Sequence, residues 1–150
     1  MALEAAGIWW RGHTYVHDQA NNSYGLEAAA ALGVAVGVVY KTLIADVEGI
    51  GLAVGIVPVD GLLDLKALAK AAGGKRAEMA GPSMAERSSG YVVGGISPIG
   101  QRKRLPTYLD EGAIVQERIF VSGGRRGFDI EIAPDDLLVV VEGQYAKIAR

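Results

Sequence analysis

Residues 36–61, VGVVYKTLIADVEGIGLAVGIVPVDG, constrain this chain more than any other stretch. Two runs rich in valine and isoleucine, 36–49 and 51–61, are separated by little more than Glu48–Gly49. β-Branched side chains lose rotamer freedom in a helix and pack well on a pleated, half-buried surface. Two such runs joined through a glycine-containing turn predict an antiparallel hairpin. The fold therefore has to be built around a sheet, and other elements have to cover it.

The rest of the chain supplies that cover. The segment 63–74, LDLKALAKAAGG, is the clearest helix: Leu65, Leu68, Ala69 and Ala72 share a face, Asp64 stands at its start and Gly73–Gly74 stop it. A second short helix is expected over 23–33, with Ser23 as cap and a small-residue stripe of Leu26, Ala29, Ala30 and Gly33. Pro82 opens a helical turn in 81–90, and Pro134 opens a short helix in 134–143. Strands are expected at 12–18, at 75–80, two or three within 107–124, at 127–134, where Phe128, Ile130 and Ile132 alternate onto one face, and in the closing YAKIAR. The 21 glycines are spread along the chain and suggest many tight turns between short elements. The pattern predicts an α+β fold, a single domain over 1–150 with a mixed, mostly antiparallel twisted sheet and several short helices packed on it.

Composition removes several function classes. A chain of 150 residues buries roughly 70% of its unfolded surface and needs no metal or disulfide to fold. Cysteine is absent, which excludes disulfides, thiolate zinc sites and a cysteine nucleophile, and fits a reducing cytoplasm. The start, MALEAAGIWWRGH, has neither the positive region nor the apolar run of a secretory signal. The most apolar stretch, near 28–40, is interrupted by Gly33 and Gly37 and is too short for a membrane span. A net charge of −2 gives no global attraction to nucleic acid, so any polyanion site has to be a local basic patch.

Two such patches stand beside glycines. GYVVGGISPIGQRKRLPTYLD, residues 90–110, carries Arg102, Lys103 and Arg104, and VSGGRRGFD, residues 121–129, carries Arg125 and Arg126. Each reads either as a solvated turn or as a loop whose backbone N–H groups face a ligand while the cations meet phosphates. Neither fits a Walker A loop, and no G-x-G-x-x-G opens a helix. His13 and His17 would face one side of a strand with Tyr15 between them, a spacing that suits hydrogen bonding better than a metal site, since no third ligand follows at an obvious interval. Ser97 and Ser122 lie in glycine-rich loops without an evident base, so a serine nucleophile is poorly supported. Lys41, within VVYKTL, either faces solvent or is desolvated at a site; the strand pattern alone favours solvent and sends Thr42 to the opposite face.

HTYVHD, YKTL, LDLKALAKAAGGKRAEMA, GYVVGGISPIGQRKRLPTYLD and FVSGGRRGFDIEIAPDDL, in that order, resemble the YbaK-type Cys-tRNA(Pro) deacylases, freestanding relatives of the bacterial prolyl-tRNA synthetase editing domain. The resemblance runs from about residue 12 to the C-terminus. The segment before it is shorter than usual in that family, with Trp9 and Trp10 where an initial helix would run, and AVGVVYK is less polar.

The resemblance implies trans-editing: release of cysteine from mischarged tRNA(Pro), with Cys-tRNA(Cys) as a further substrate, without a cofactor, in the cytoplasm, with prolyl-tRNA synthetase as a partner in a ternary complex. A pocket that accepts proline discriminates against a residue of similar size by only about 1–3 kcal/mol, hence the need for a second site. The substrate's own thiol is the family's nucleophile, and the protein orients the aminoacyl end and stabilises the oxyanion. By motif, Lys41 is the essential lysine, holding the ester carbonyl or the terminal adenosine, followed by Thr42. Tyr15 and Tyr24 stand at the pocket mouth; Gly94, Gly95 and Ile96 line the aminoacyl pocket; Ser122 positions Asp129, which binds the α-amino group. Arg102, Lys103, Arg104, Arg125 and Arg126 lie toward the tRNA. Sister branches of the superfamily hydrolyse alanine or another small residue from tRNA, and a non-catalytic tRNA- or nucleotide-binding module is a further reading.

Overall fold

The computed structural model describes residues 7–21 and 23–150; the beginning of the stretch read above as lacking a leader, Met1–Ala6, lies outside the described residues. The predicted hairpin is the spine. Strand β2 (Tyr40–Val47) pairs antiparallel with β3 (Gly51–Pro58) along its whole length, and Ile50 N–H closes the turn on the Val47 carbonyl. β4 (Ala77–Met79) adds antiparallel to β2 on one side; β5 (Thr107–Asp110) and β8 (Gln144–Ala146) add parallel on the other, giving the order β4-β2-β3-β5-β8. A second sheet, all antiparallel, has the order β1-β7-β6, with β1 at Trp10–Thr14, β6 at Ile119–Arg125 and β7 at Phe128–Ile132. The two sheets touch through one parallel bridge, Val39 to Phe120. The α+β reading, with a mixed and mostly antiparallel arrangement, is what the chain adopts.

Period-two alternation builds the main core. Ile44 of β2, Val54 and Ile56 of β3, Ile119 and Val121 of β6, and Ile130 and Ile132 of β7 pack together with Leu109, Leu137 and Val141. The other face of the hairpin is covered by α2 (Leu65–Ala72), which seats Leu68 against Ala45, Val57 and Tyr108. Its ends follow from sequence: the Asp64 carboxylate accepts the Ala67 N–H at 3.1 Å, and Gly73 takes φ 80°.

Several boundaries differ from the sequence reading. Val36–Val38 form a 3-10 turn rather than the start of β2, closed by the Val38 N–H on the Ala35 carbonyl. The segment 81–90 is a full helix, α3 (Pro82–Ser89), and 134–143 holds α4 (Pro134–Val141). The expected strand at 12–18 is displaced to Trp10–Thr14, because the β6–β7 turn at Gly127 (φ 83°) ends the pairing partner and leaves only a Tyr15 N–H to Gly127 carbonyl bond. Trp10 thus begins β1. In α1 (Tyr24–Leu32), Ala28 and Ala29 are the buried residues, while Leu26 and Ala30 are exposed. The helix rotates this way because Gly25, lacking a Cβ, presses directly on Val59. Ser23 stands at the N-cap, but its hydroxyl makes no capping bond.

A pocket in the gap between two sheets

The site arises where strand pairing fails. Among the described residues β6 bridges only to Val39, the residue before β2, and β4 pairs with β2 only from Ala45 onward. Ala80 N–H bonds to the Ile44 carbonyl, so the even-numbered residues of β2 turn their main chain toward that side. Between the two contacts, at Thr42, no neighbouring strand among the described residues takes up the edge. A cavity of about 510 Å³ fills this gap, within the ~300–1,000 Å³ common for small-molecule sites. Helix α1 roofs it with Tyr24, Gly25 and Leu26; Pro82 and Ala85 of α3 and Met79–Ala80 close one flank; Val93, Gly94 and Ile96 close another.

This location explains how Lys41 and Thr42, adjacent on a strand, line the same cavity. The cavity wraps a strand edge, so both faces reach it. Lys41 is half-buried, not solvated as the strand pattern suggested, and burial pulls its ammonium below the ordinary lysine range while Asp60 works the other way. Thr42 is 8% exposed, and among the described residues its hydroxyl has no hydrogen-bond partner. A buried hydroxyl left unpaired is unfavourable, so Thr42 is free to bond to a group that enters the cavity.

The three-stranded sheet supplies the opposite wall. In its ladder Asp129 lies between His13 on β1 and Ser122 on β6, so the three side chains form a row on one face. Asp129 is 6% exposed; burial drives its carboxyl from 3.8 up to about 7, with His13 pulling the other way and no hydrogen bond contributing. Tyr15 is raised to about 12, mainly by burial and then by the Asp129 charge. The Ser122 hydroxyl accepts the Gly124 N–H. His13 and His17 do not converge. His13 Nε2 meets Glu131 at 2.9 Å, whereas His17 Nδ1 meets Glu27 at 2.7 Å on α1. With β1 ending at Thr14, the two rings leave the common strand face that the spacing had implied.

Of the glycine loop, Gly94 and Ile96 line the cavity and Gly95 does not. A Cβ on Gly95 would lie 2.8 Å from Arg125 Cα and 2.9 Å from Arg126 N, so this glycine exists to let two backbones touch. Ser97 is buried and its hydroxyl accepts the Ile99 N–H, a structural task. The two basic loops both border the 90–100 segment. Arg126 bonds to the Val93 carbonyl and stacks over Tyr24, while Arg125 stacks over Phe128. The Arg102 side chain runs beside Gly90, with its own N–H bonded to the Ser89 carbonyl. Lys103 N–H is held by Ser88, and Arg104 pairs with Glu142 at 2.8 Å on the surface. Arg102, Lys103 and Arg104 do not line the cavity.

Sequence reasoning missed much of the apolar lining, including Val39, Val59, Met79, Ala80 and Val93, and it missed Tyr40, whose phenol burial raises to about 12. The valines, methionine and alanine carry no distinctive side chain, so no motif could single them out.

The profile of a family described as the aminoacyl-tRNA editing domain matches residues 21–139, a span that holds Tyr24, Lys41, Thr42, Gly94, Ser122 and Asp129. EbsC of Enterococcus faecalis, named as a candidate Cys-tRNA(Pro)/Cys-tRNA(Cys) deacylase, is 44% identical over 120 residues, which cover 80% of this chain and 73% of EbsC. A crystal structure described as a candidate trans-editing enzyme for prolyl-tRNA synthetase superposes with a TM-score of 0.83 at 28% identity, covering 99% of this chain and 92% of that one. A hypothetical protein of known structure superposes with a TM-score of 0.87 at 25% identity, covering 99% and 96%.

Proposed function

The chain belongs to the aminoacyl-tRNA editing domain family, and from that premise we propose that it removes cysteine from mischarged tRNA(Pro) in trans, the substrate's own sulfur serving as nucleophile. The observation that carries this reading is a set of polar groups, without hydrogen-bond partners among the described residues, converging on one cavity. The Lys41 ammonium, the Thr42 hydroxyl and the Asp129 carboxyl line it together, with the Gly94 backbone on the rim. A cationic and an anionic group at opposite walls of a largely apolar pocket suit an aminoacyl ester, which carries a carbonyl to be polarised and an α-ammonium to be held.

Each group then has a task. Asp129 accepts from the α-ammonium, which restores the charge that burial disfavours on the empty carboxyl. Lys41 donates to the ester carbonyl oxygen, where negative charge develops as the carbon becomes tetrahedral. Thr42 donates its free hydroxyl to the same acyl group. The substrate sulfur bonds to the carbonyl carbon, the bond from that carbon to the tRNA ribose oxygen breaks, and the thiol proton ends on that oxygen. The products are free tRNA and a cysteine thiolactone that water opens afterwards. No protein nucleophile is required. Both histidines are bonded to glutamates, and Ser97 and Ser122 each accept a backbone N–H. Sulfur and carbonyl already belong to one molecule, so the pocket contributes by holding the one cysteine rotamer that brings them together and by stabilising the charge on the acyl oxygen.

The deciding experiment charges tRNA(Pro) with cysteine, serine, alanine or proline and follows deacylation with and without prolyl-tRNA synthetase. Cysteine should be released fastest, serine far more slowly because its hydroxyl is a poor nucleophile, and proline least. Equal rates for cysteine and alanine would replace this reading with hydrolysis of small residues by water. Tight tRNA binding without turnover on any of the four would make the protein a binding module.

A further inference from the structure

Arg126 is the residue whose contacts the proposed chemistry does not use. Its Nε and Nη2 both donate to the Val93 carbonyl, at 2.9 and 2.6 Å, although Val93 lies 33 residues away in sequence. Its guanidinium also lies 4.7 Å over the Tyr24 ring on α1. The same residue, Val93, is held from the other end: its N–H donates to the Glu86 carboxylate at 2.8 Å. Gly94 follows with φ 89°, and a Cβ there would come within 2.7 Å of Arg126 Nε and 2.8 Å of the Tyr24 ring. The close fit of arginine, tyrosine and glycine is therefore possible only without a side chain at residue 94.

The peptide unit between Val93 and Gly94 is planar and trans, so its C=O and N–H point in opposite directions. Fixing the carbonyl onto Arg126 fixes the N–H of Gly94 as well. Among the described residues that N–H has no acceptor within the chain, and Val93 and Gly94 both line the cavity. We infer that Arg126 is a positioning residue: a two-point latch that sets the 93–94 peptide plane so that the Gly94 amide serves as a second donor to the substrate's acyl oxygen, beside Lys41. This rests on the deacylase reading for its catalytic half. Its structural half, that the latch orders the glycine loop, stands without it. Two parallel N–H groups on one carbonyl fix an orientation that a single flexible ammonium does not.

The test compares wild type with Arg126→Ala, Arg126→Lys and, as a control, Arg125→Ala, whose side chain stacks on Phe128 and makes no bond to Val93. On Cys-tRNA(Pro), Arg126→Ala should lower kcat roughly 10- to 100-fold with KM little changed, less than the ~10²–10³ expected for deleting an oxyanion donor outright. Arg126→Lys should recover little, and millimolar methylguanidinium should restore part of the alanine variant's rate. Backbone hydrogen exchange over residues 92–96 should quicken about tenfold or more in Arg126→Ala and stay as in wild type in Arg125→Ala. A raised KM and a flatter salt dependence with unchanged kcat would make Arg126 a phosphate contact and overturn the latch. Unchanged exchange over 92–96 would overturn it too. If wild type fails to deacylate every mischarged tRNA, the deacylase reading fails and with it the amide's proposed task, whereas the exchange data still decide whether Arg126 orders the loop.

Discussion

Replacing Asp129 by asparagine separates what the pocket needs from what the fold prefers. The buried carboxyl is raised from 3.8 to about 7, chiefly because burial disfavours its charge. The unfolded chain gives up this proton near the lower value and the folded chain near the upper one. Between them the folded state binds more protons, so this group's contribution to stability is fully present below about pH 4 and is lost as the pH rises through about 7. About three pKa units at 1.36 kcal/mol each make roughly 4 kcal/mol. Asparagine keeps the shape and never ionises, and titrations shared by the two proteins cancel in the difference. Variant stability minus wild-type stability should therefore climb by about 4 kcal/mol from pH 4 to pH 8, with a slope near 1.4 kcal/mol per unit, and then flatten. Urea denaturation at half-unit steps of pH measures it. The same variant should lose deacylation, because the neutral amide cannot accept the α-ammonium as a counter-charge. A constant offset across the whole pH range would show that the carboxylate is solvated or already paired, and the argument that the pocket waits for a cation would fall.

Lys41→Met should cut deacylation by 10²-fold or more while leaving the urea midpoint at pH 7 equal to wild type or higher, since it removes a half-buried ammonium from a strand; a full-rate variant would remove Lys41 from the chemistry. Gly95→Ala places a methyl against the Arg125–Arg126 backbone and should destabilise by about 1–3 kcal/mol in urea. Glu27 is held below the ordinary carboxylate range, first by its hydrogen bond from His17, so its stabilising effect is present above that range and is lost as the pH falls through the folded value. Glu27→Gln should accordingly be less stable than wild type at pH 7, with the gap closing in acid denaturation scans.

How much of this was legible in the sequence depends on whether the information is local. The β2–β3 hairpin and helix α2 were, because β-branched runs, a capping aspartate and terminal glycines act over a few residues. The cavity was not, because it is an absence of pairing. Nothing in VVYKTL says that β4 will reach only to Ala45 or that β6 will bridge only to Val39, yet those two stops decide that Lys41 leaves solvent and that Thr42 keeps an unused hydroxyl. The motif resemblance located Lys41 where strand periodicity pointed away from it. Periodicity describes the middle of a sheet, and this lysine lies at its open edge.

The same distinction separates Gly94 from its neighbour Gly95. In sequence they are a pair, and both suit a backbone that faces a ligand. In the fold one lines the cavity beneath Tyr24 and Arg126, and the other is pressed on the backbone of residues 125–126. The second contact holds the 90–100 loop against the β6–β7 turn, and that turn carries both the latch and, two residues after Gly127, Asp129. One rigid hairpin end thus places the anionic wall of the pocket and the glycine loop together. A substitution that loosens the turn should therefore weaken the hold on the α-ammonium and the carbonyl in the same step, a coupling that a double-mutant cycle between Arg126→Ala and Asp129→Asn would register as strong non-additivity in kcat/KM.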